Sequence, residues 1–298
     1  MKKVLLLALP VLAVLAGCSD AGSSGKPTIV VTTNILGDIT SNIVGEQADV
    51  LVLMPPNSDP HSFEISASEA ARVESADLLI ANGLGLEEGV AKTIDAARAE
   101  GVEVVEAGPV ADPIEYLTGQ SAGAQDPHIW TDPDRMRNVV RLIRDAVNRS
   151  VQGVNVDAAA VEYDAKLVAL NERMKERFSL IPPERRKLVT NHHVFGYLAD
   201  RYHFEVIGAV IPSGTTLASP SASDLSDLAK SVTDAGVRTI FVDSSQPDRL
   251  AQVMASEAGV NIAVVKLFTE SLGDEASEAA TYLGMMDRNS EAIADGLR

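Results

Sequence analysis

The sequence predicts an α/β protein with two lobes, each built on a parallel sheet and joined to the other by one long helix. Short β-branched and apolar runs alternate with helical periodicity in both halves of the 298-residue chain, as in proteins whose parallel sheets are covered by helices. A single uninterrupted helical pattern over 155–180 separates the halves. Similar short motifs occur in both halves, which indicates that their folds are related.

In the first half, runs of β-branched and apolar residues alternate with segments of helical periodicity. We expect strands over 28–32, 50–54, 76–81 and 102–107, and helices over 34–44, from 66 onward, over 87–99 and over 133–148. Ser66 followed by Glu69 forms a capping-box pattern, in which each side chain bonds to the backbone amide of the other residue. The regular alternation predicts parallel strands connected by helices.

The long helical pattern is the element that separates the halves. Its apolar positions recur every three or four residues and therefore share one side of a helix; they are Tyr163, Leu167, Leu170, Met174, Phe178 and Ile181. Asn155 or Asp157 can cap its start, and Pro182-Pro183 ends it because a proline ring cannot continue a helix. At ~1.5 Å per residue the helix spans roughly 39 Å, about the diameter of a small domain. We interpret it as the connection between two lobes; the alternative is an amphipathic helix within one large core.

After this helix, the alternation of strands and helices starts again. We expect strands over 188–190, 205–211, 237–242 and 262–267, and helices over 194–201, over 223–235, between the last two strands and over 277–297. Ser66-Ala67-Ser68 and Ser221-Ala222-Ser223 open helices at similar distances after Asn34 and Asn191, although residues this small also match by coincidence. The predicted boundaries are 28–150 for the first lobe, 151–183 for the linking helix and 184–298 for the second lobe.

The start of the chain has the features of a bacterial lipoprotein signal. Lys2-Lys3 is followed by an apolar run that is too short to span a membrane. Leu15-Ala16-Gly17-Cys18 is typical of a signal that is cut just before a lipid-modified cysteine. We therefore expect a signal peptide over 1–17, and a lipidated Cys18 with a flexible tether over 18–27. The alternative is an ordinary signal peptide in which Cys18 is incidental.

The charge balance argues against binding to nucleic acids or to anionic membrane surfaces. The chain has 42 acidic and 25 basic residues, and its net charge of −17 repels phosphate groups. Such a surface favours solubility and, weakly, cationic partners. Cys18 is the only cysteine, so the chain offers neither an internal disulfide nor a cysteine metal cluster.

Four of the five histidines lie in loops or at the ends of predicted strands. His61 follows the strand over 50–54, His128 lies in a loop before a helix, and His192 follows the strand over 188–190. In open α/β sheets, ligands bind beyond the carboxyl ends of the strands. These three histidines are therefore candidates for one shared site.

Two acidic residues, Asp243 and Glu270, each follow a predicted strand of the second half. Three imidazoles and one carboxylate would complete the four-ligand shell of a divalent metal. A single loop histidine is, however, more often exposed or hydrogen-bonded than a ligand, and we assign His203 to that class. His193 stays open, because neighbouring side chains on extended backbone point to opposite sides. Spacing alone therefore leaves both a metal site and ordinary loop histidines as interpretations.

Several motifs occur in order along the chain: Thr33-Asn34, Asp59-Pro60-His61, Asp126-Pro127-His128-Ile129-Trp130, Asn191-His192 with Phe195-Gly196, Phe241-Val242-Asp243-Ser244-Ser245 and Phe268-Thr269-Glu270-Ser271. Together they resemble the TroA-like proteins, the zinc- and manganese-binding lipoproteins of bacterial ABC importers. The resemblance covers essentially the whole chain after the signal peptide. It implies two α/β lobes joined by one long helix, with the metal site in the cleft between the lobes.

Carried over position by position, the resemblance implies four metal ligands: His61, His128, His192 and Glu270. The family has His or Glu at the third position and usually Asp at the fourth, so Glu270 is longer by one methylene. Asp243 and His193 are the fallback ligands or supporting residues. Three imidazoles favour Zn²⁺, since Mn²⁺ prefers carboxylate-rich shells. Mn²⁺ is the alternative, because the loop over 118–125 lacks the histidines that zinc transporters of this family often carry.

The resemblance implies an extracytoplasmic lipoprotein, anchored to the cell membrane, that delivers a divalent metal to the permease of an ABC importer. We expect it to be a monomer, and we expect its metal affinity to fall as pH falls through the imidazole titration range. The alternatives are a secreted zinc metalloenzyme and a surface adhesin. The sequence has no His-Glu-x-x-His helix, and a fourth ligand leaves no open coordination position for catalysis. It also lacks the repeats that would support an adhesin, so we expect neither activity.

Overall fold

The computed structural model describes residues 25–117, 119–257 and 262–298. Within these residues it contains two four-stranded sheets, and all strand pairs are parallel. The predicted fold class is confirmed, since each sheet forms a lobe with its helices and one long helix connects the lobes. The predicted signal peptide over 1–17 and Cys18 lie outside the described residues. None of the helices in the described ranges is both long and apolar enough to cross a membrane.

The first sheet has its opening strand in an inner position. In chain order the first lobe consists of β1 (Thr28–Val31), α1 (Asn34–Val44), β2 (Asp49–Val52), α2 (Ala67–Glu74), β3 (Leu78–Ala81), α3 (Ala91–Ala99), β4 (Val104–Glu106) and α4 (Pro133–Ser150). The strand order is β2-β1-β3-β4, with Val30 opposite Leu51 and Leu79. The inner strands β1 and β3 are covered on both faces, which is why their sequences are continuous apolar runs.

The second lobe repeats this topology. It consists of β5 (Lys187–Thr190), α6 (Gly196–Tyr202), β6 (Glu205–Ala209), α7 (Ala222–Asp234), β7 (Thr239–Asp243), α8 (Arg249–Glu257), β8 (Ala263–Leu267) and α9 (Tyr282–Leu297). The strand order β6-β5-β7-β8 gives each strand the place of its counterpart in the first lobe. The similarity extends to local structure, since Ser66 with Glu69 and Ser221 with Asp224 form capping boxes at α2 and α7.

The connection between the lobes is α5 (Asp157–Ser179), and its buried side chains recur at the predicted spacing. It packs against α1 and α4 of the first lobe and against α9 of the second. Its apolar face therefore lies in a core that extends from one lobe to the other. Two smaller clusters of buried residues each belong to a single lobe.

The start of α5 agrees in part with the prediction that Asn155 or Asp157 caps it. The N-cap residue is Val156, and no side chain caps the helix in the usual way. Instead, Oδ1 of Asn148 near the end of α4 accepts a hydrogen bond from the Val156 amide at 2.9 Å. Oδ1 of Asn155 also accepts a hydrogen bond from the Asp157 amide at 3.2 Å. Asn155 therefore bonds the first amide of the helix as expected, although Val156 is the N-cap residue and α4 supplies a further partner.

Helices α3 and α9 begin about one helical turn later than the sequence predicts. Helix α3 begins at Ala91, because the Glu87 carboxylate accepts a hydrogen bond from the Asn82 amide and holds the chain in a turn before the helix. Helix α9 begins at Tyr282, where the side chain of Thr281 serves as the cap. In both cases side-chain hydrogen bonds set the helix boundary rather than helical periodicity.

Candidate metal site

Four buried side chains converge between the lobes, on segments that follow strands. His61 lies in the loop after β2, His128 between β4 and α4, His192 directly after β5, and Glu270 after β8. Each is at most 2% exposed. The two sheets therefore direct their carboxyl ends toward one point, as expected for ligand sites of open α/β sheets.

The four side chains direct their nitrogen and oxygen atoms at one another. Nε2 of His128 lies 3.3 Å from Nε2 of His61 and 3.3 Å from Nε2 of His192. The carboxylate oxygens of Glu270 lie 3.3 Å from Nε2 of His192, 3.6 Å from that of His128 and 3.7 Å from that of His61. In a tetrahedral zinc shell with bonds of about 2.0 Å, the ligand atoms are about 3.3 Å apart. These separations are close to the dimensions of such a shell, and all four ligand atoms lie within 4.8 Å of one another.

The carboxylate of Glu270 is the clearest sign that the cluster suits a cation. Both of its oxygens are buried, and neither has a hydrogen-bond partner within the described part of the chain. Such an unpaired buried group costs about 1–3 kcal/mol, and more when it is charged. A divalent cation among the four side chains would remove this cost. Imidazole nitrogens with one carboxylate suit zinc and neighbouring transition metals.

Burial shifts the pKa values of these groups toward their uncharged forms. Burial, together with the neighbouring histidines, lowers the pKa of His61 to about 2, and burial also lowers the pKa of His192. Both rings are therefore neutral at pH 7, as metal binding requires. Burial raises the pKa of Glu270 to about 8. The prediction that protonation of the imidazoles competes with metal binding near neutral pH is therefore wrong for His61. The group that carries a proton near neutral pH is Glu270.

The two Asp-Pro-His motifs orient their histidines in the same way. Oδ1 of Asp59 accepts a hydrogen bond from the His61 amide at 2.9 Å, and Oδ1 of Asp126 accepts one from the His128 amide at 2.9 Å. In each turn, the aspartate fixes the backbone of the residue two positions later. The repeated motif therefore corresponds to one repeated local structure.

The Nδ1 atoms of the three rings have different surroundings. Nδ1 of His128 lies 2.7 Å from Oδ1 of Asp126, an arrangement that places the ring proton on Nδ1 and leaves Nε2 available to a metal. Nδ1 of His192 lies 3.1 Å from the side-chain amide of the preceding residue. Nδ1 of His61 has no hydrogen-bond partner among the described residues, and Oε1 of Glu88 is 3.9 Å away. His128 is thus the ring that its surroundings hold most firmly.

Asp126 is held in turn by close packing against the start of α6. Oη of Tyr197 donates a hydrogen bond to the carbonyl of Asp126 at 2.5 Å. A Cβ atom at Gly196 would lie 2.5 Å from Oδ2 of Asp126, so the close approach requires glycine at this position. The Phe195-Gly196 motif therefore acts on His128 through Asp126.

The two fallback residues lie outside the cluster of four side chains. Oδ2 of Asp243 accepts hydrogen bonds from the backbone amides of Thr269 and Glu270 at 2.9 and 3.1 Å. Asp243 therefore supports the segment that carries Glu270. The half-buried His193 has its ring centre 6.4 Å from that of Tyr116, whereas the adjacent His192 points into the cluster.

Three residues at the site have no role in the sequence prediction. Oη of Tyr116 lies 3.1 Å from Nδ1 of His128. Asn34 and Trp130 donate hydrogen bonds to the segment around Glu270. Both belong to motifs that support the family resemblance, but the partner of Asn34 lies 237 positions away. Motif membership was the only signal, because sequence spacing carries no information about such distant contacts.

The chain is similar to known metal-binding transport proteins. Residues 29–296 match the family described as zinc-uptake complex component A, periplasmic. The metal ABC transporter substrate-binding lipoprotein SsaB of Streptococcus sanguinis is 33% identical, over 100% of this chain and 99% of the relative. The manganese-binding lipoprotein MntA of Halalkalibacterium halodurans is 30% identical, also over 100% of this chain and 99% of the relative.

Solved structures share the two-lobed fold. The periplasmic zinc-binding protein TroA from Treponema pallidum has a TM-score of 0.81 at 27% identity, covering 92% of this chain and 99% of that chain. A manganese-bound periplasmic metal-binding protein from Candidatus Liberibacter asiaticus has a TM-score of 0.78 at 25% identity, covering 92% of this chain and 100% of that chain. The similar proteins thus include ones named for zinc and ones named for manganese.

Proposed function

Because the chain belongs to the zinc-uptake complex component A family, we propose that it is the metal-binding lipoprotein of a bacterial ABC importer. It captures a divalent transition metal outside the cytoplasm and delivers it to the importer's permease in the cytoplasmic membrane. The observation that carries this proposal is the group of three imidazoles and one carboxylate buried between two lobes. The names of the relatives, which are ABC transporter substrate-binding and metal-binding lipoproteins, support the same function.

We infer that His61, His128, His192 and Glu270 bind the metal through the atoms that face the cluster. Zinc is the favoured metal, because imidazole nitrogens dominate the set and the shortest separations, 3.3 Å, match a tetrahedral zinc shell. Manganese is the second candidate. It prefers oxygen-rich shells of higher coordination number, and would need both oxygens of Glu270 and further ligands.

We infer that the protein binds and releases its metal without catalysing a reaction. A catalytic zinc site keeps one coordination position open for water or substrate. Here four protein groups suffice for a tetrahedral shell, and all four are buried. The family is one of substrate-binding transport proteins, which supports the same inference.

We propose that Cys18 carries the lipid that anchors the protein to the membrane. Leu15-Ala16-Gly17-Cys18 is typical of a lipoprotein signal, and the relatives SsaB and MntA are named as lipoproteins. The mature protein would then begin at Cys18 and work as a tethered monomer beside the permease.

Metal release should involve limited tilting of the lobes and local loop movement rather than a wide hinge motion. Helix α5 packs against helices of both lobes, and its buried side chains belong to the core that the lobes share. Wide opening would expose this apolar face to water, at a cost of about 25 cal/mol per Å². Loops around the site can move without that cost.

The test is purification of the protein without chelators, followed by elemental analysis. We expect about one equivalent of zinc per chain, as four ligands for one ion imply. His192→Ala should lose the bound metal while its circular dichroism spectrum stays that of the unaltered protein. His203→Asn is the matched control, since His203 is exposed and asparagine tolerates its left-handed backbone. Full metal retention by His192→Ala would contradict the proposed ligand set.

A further inference from the structure

Asn34, at the start of α1 in the first lobe, holds the segment of the second lobe that carries Glu270. We call this segment, residues 269–272, the Glu270 loop. Nδ2 of Asn34 donates hydrogen bonds to Oγ of Ser271 at 2.7 Å and to the carbonyl of Pro55 at 3.0 Å. The amide of Leu272 donates to Oδ1 of Asn34 at 3.0 Å. Asn34 is only 6% exposed, so these bonds are shielded from water.

The three bonds require an asparagine side chain. An amide group offers two donors and an acceptor at once. Because the carbonyl of Pro55 can only accept a hydrogen bond, Nδ2 and not Oδ1 of Asn34 must face it. Aspartate has no donor for Pro55 or Ser271, and alanine would leave the buried amide of Leu272 without its partner. Either substitution would therefore leave a buried polar group without its hydrogen-bond partner, which disfavours this position of the loop.

Other contacts of the Glu270 loop also come from the first lobe. Nε1 of Trp130 donates to the carbonyl of Thr269 at 2.7 Å, and the amide of Asn57 donates to the carbonyl of Leu272 at 3.0 Å. Within the second lobe, the carboxylate of Asp243 accepts hydrogen bonds from the backbone amides of Thr269 and Glu270. Hydrogen bonds thus fix the backbone on both sides of Glu270. The first lobe supplies most of the hydrogen bonds to the residues that follow Glu270.

We propose that Asn34 is a positioning residue for metal binding, which holds the Glu270 loop across the interlobe cleft so that the carboxylate meets the histidines. The inference rests on the proposed function, because it concerns the same site. The Glu270 carboxylate has no hydrogen bond of its own in the described residues. Its place is therefore determined by the backbone that carries it and by packing. Supporting residues of this kind change metal affinity by about 10–100-fold.

A double-mutant cycle distinguishes this role from a general effect on folding. Zinc affinity is measured by chelator competition for Asn34→Ala alone, and again in Glu270→Ala and His128→Ala backgrounds. If Asn34 acts through Glu270, Asn34→Ala should weaken zinc binding about tenfold alone and in the His128→Ala background. In the Glu270→Ala background, which retains three imidazoles, it should change affinity by less than about twofold. An equal loss in both backgrounds would overturn the proposal.

Two further variants keep the test informative if Asn34→Ala folds poorly. Ser271→Ala removes one bond to Asn34 without emptying the buried position, and should show a smaller loss that also disappears in the Glu270→Ala background. Asn42→Ala is the matched control, since the exposed side chain of Asn42 on α1 donates its hydrogen bonds to Asp38, away from the Glu270 loop, and this variant should bind zinc normally. Absence of zinc binding in the unaltered protein would overturn the proposed function. Zinc binding that is insensitive to both Asn34→Ala and Ser271→Ala would overturn only the role of Asn34.

Discussion

Metal binding should weaken as pH falls below 8, and the proton on Glu270 is the physical cause. Burial raises the pKa of this carboxyl group to about 8, and the carboxylate of Asp243 raises it further. Metal binding needs the ionised carboxylate, so a metal must displace this proton below pH 8. His61 adds no such competition near neutral pH, because burial lowers its pKa to about 2.

The size of the effect follows from the pKa of Glu270, about 8. The group is about half protonated at pH 8 and about 99% protonated at pH 6. Competition by one proton therefore raises the apparent Kd about 50-fold between pH 8 and pH 6, which is about 2 kcal/mol of binding free energy. At pH 7, about 0.9 protons should leave the protein for each metal bound. Above pH 8 the affinity should level off.

Isothermal titration calorimetry with zinc, in two buffers of different ionisation enthalpy, counts the released protons at each pH. Glu270→Gln is the control, because it keeps the side-chain shape but cannot ionise. This variant should bind zinc more weakly, and its affinity should change little between pH 6 and pH 8. Release of no proton at pH 7, or an unchanged pH dependence in Glu270→Gln, would refute the assignment to Glu270.

Three further predictions concern packing and helix caps. Gly196→Ala should weaken zinc binding, since its Cβ would lie 2.5 Å from Oδ2 of Asp126; an unchanged Kd would show that Asp126 adapts. Phe178→Ala should lower the free energy of unfolding by about 3–5 kcal/mol, because Phe178 of α5 is buried in the shared core. Urea denaturation should show this loss in a single transition, and two separate transitions would contradict a shared core. Ser66→Ala should cost about 1 kcal/mol by removing the α2 capping box, and thermal denaturation should register this with zinc affinity unaltered.

Much of the secondary structure was predictable because its causes are local. The side chains of Ser66 and Glu69 cap α2. Helix α5 ends just before Pro182-Pro183 because proline cannot continue a helix. The start of α3, and the contact from α4 at the start of α5, could not be predicted in this way. Glu87 bonds back to the end of β3 and Asn148 reaches forward from α4, and neither contact has a signature in residue spacing.

The sequence by itself determined the chemistry available to the site: which residues carry imidazole and carboxylate groups, and that they follow strands. The motifs that Glu270 and the three histidines belong to implied which of them act together. Only the tertiary structure decided that Glu270 enters the cluster while Asp243 holds its backbone, and that Asn34 connects the lobes there. The physical reason is the distance along the chain over which each effect acts. Helix caps and periodicity act over a few residues, whereas ligand geometry and burial, which sets the pKa of Glu270, arise only when distant segments pack together.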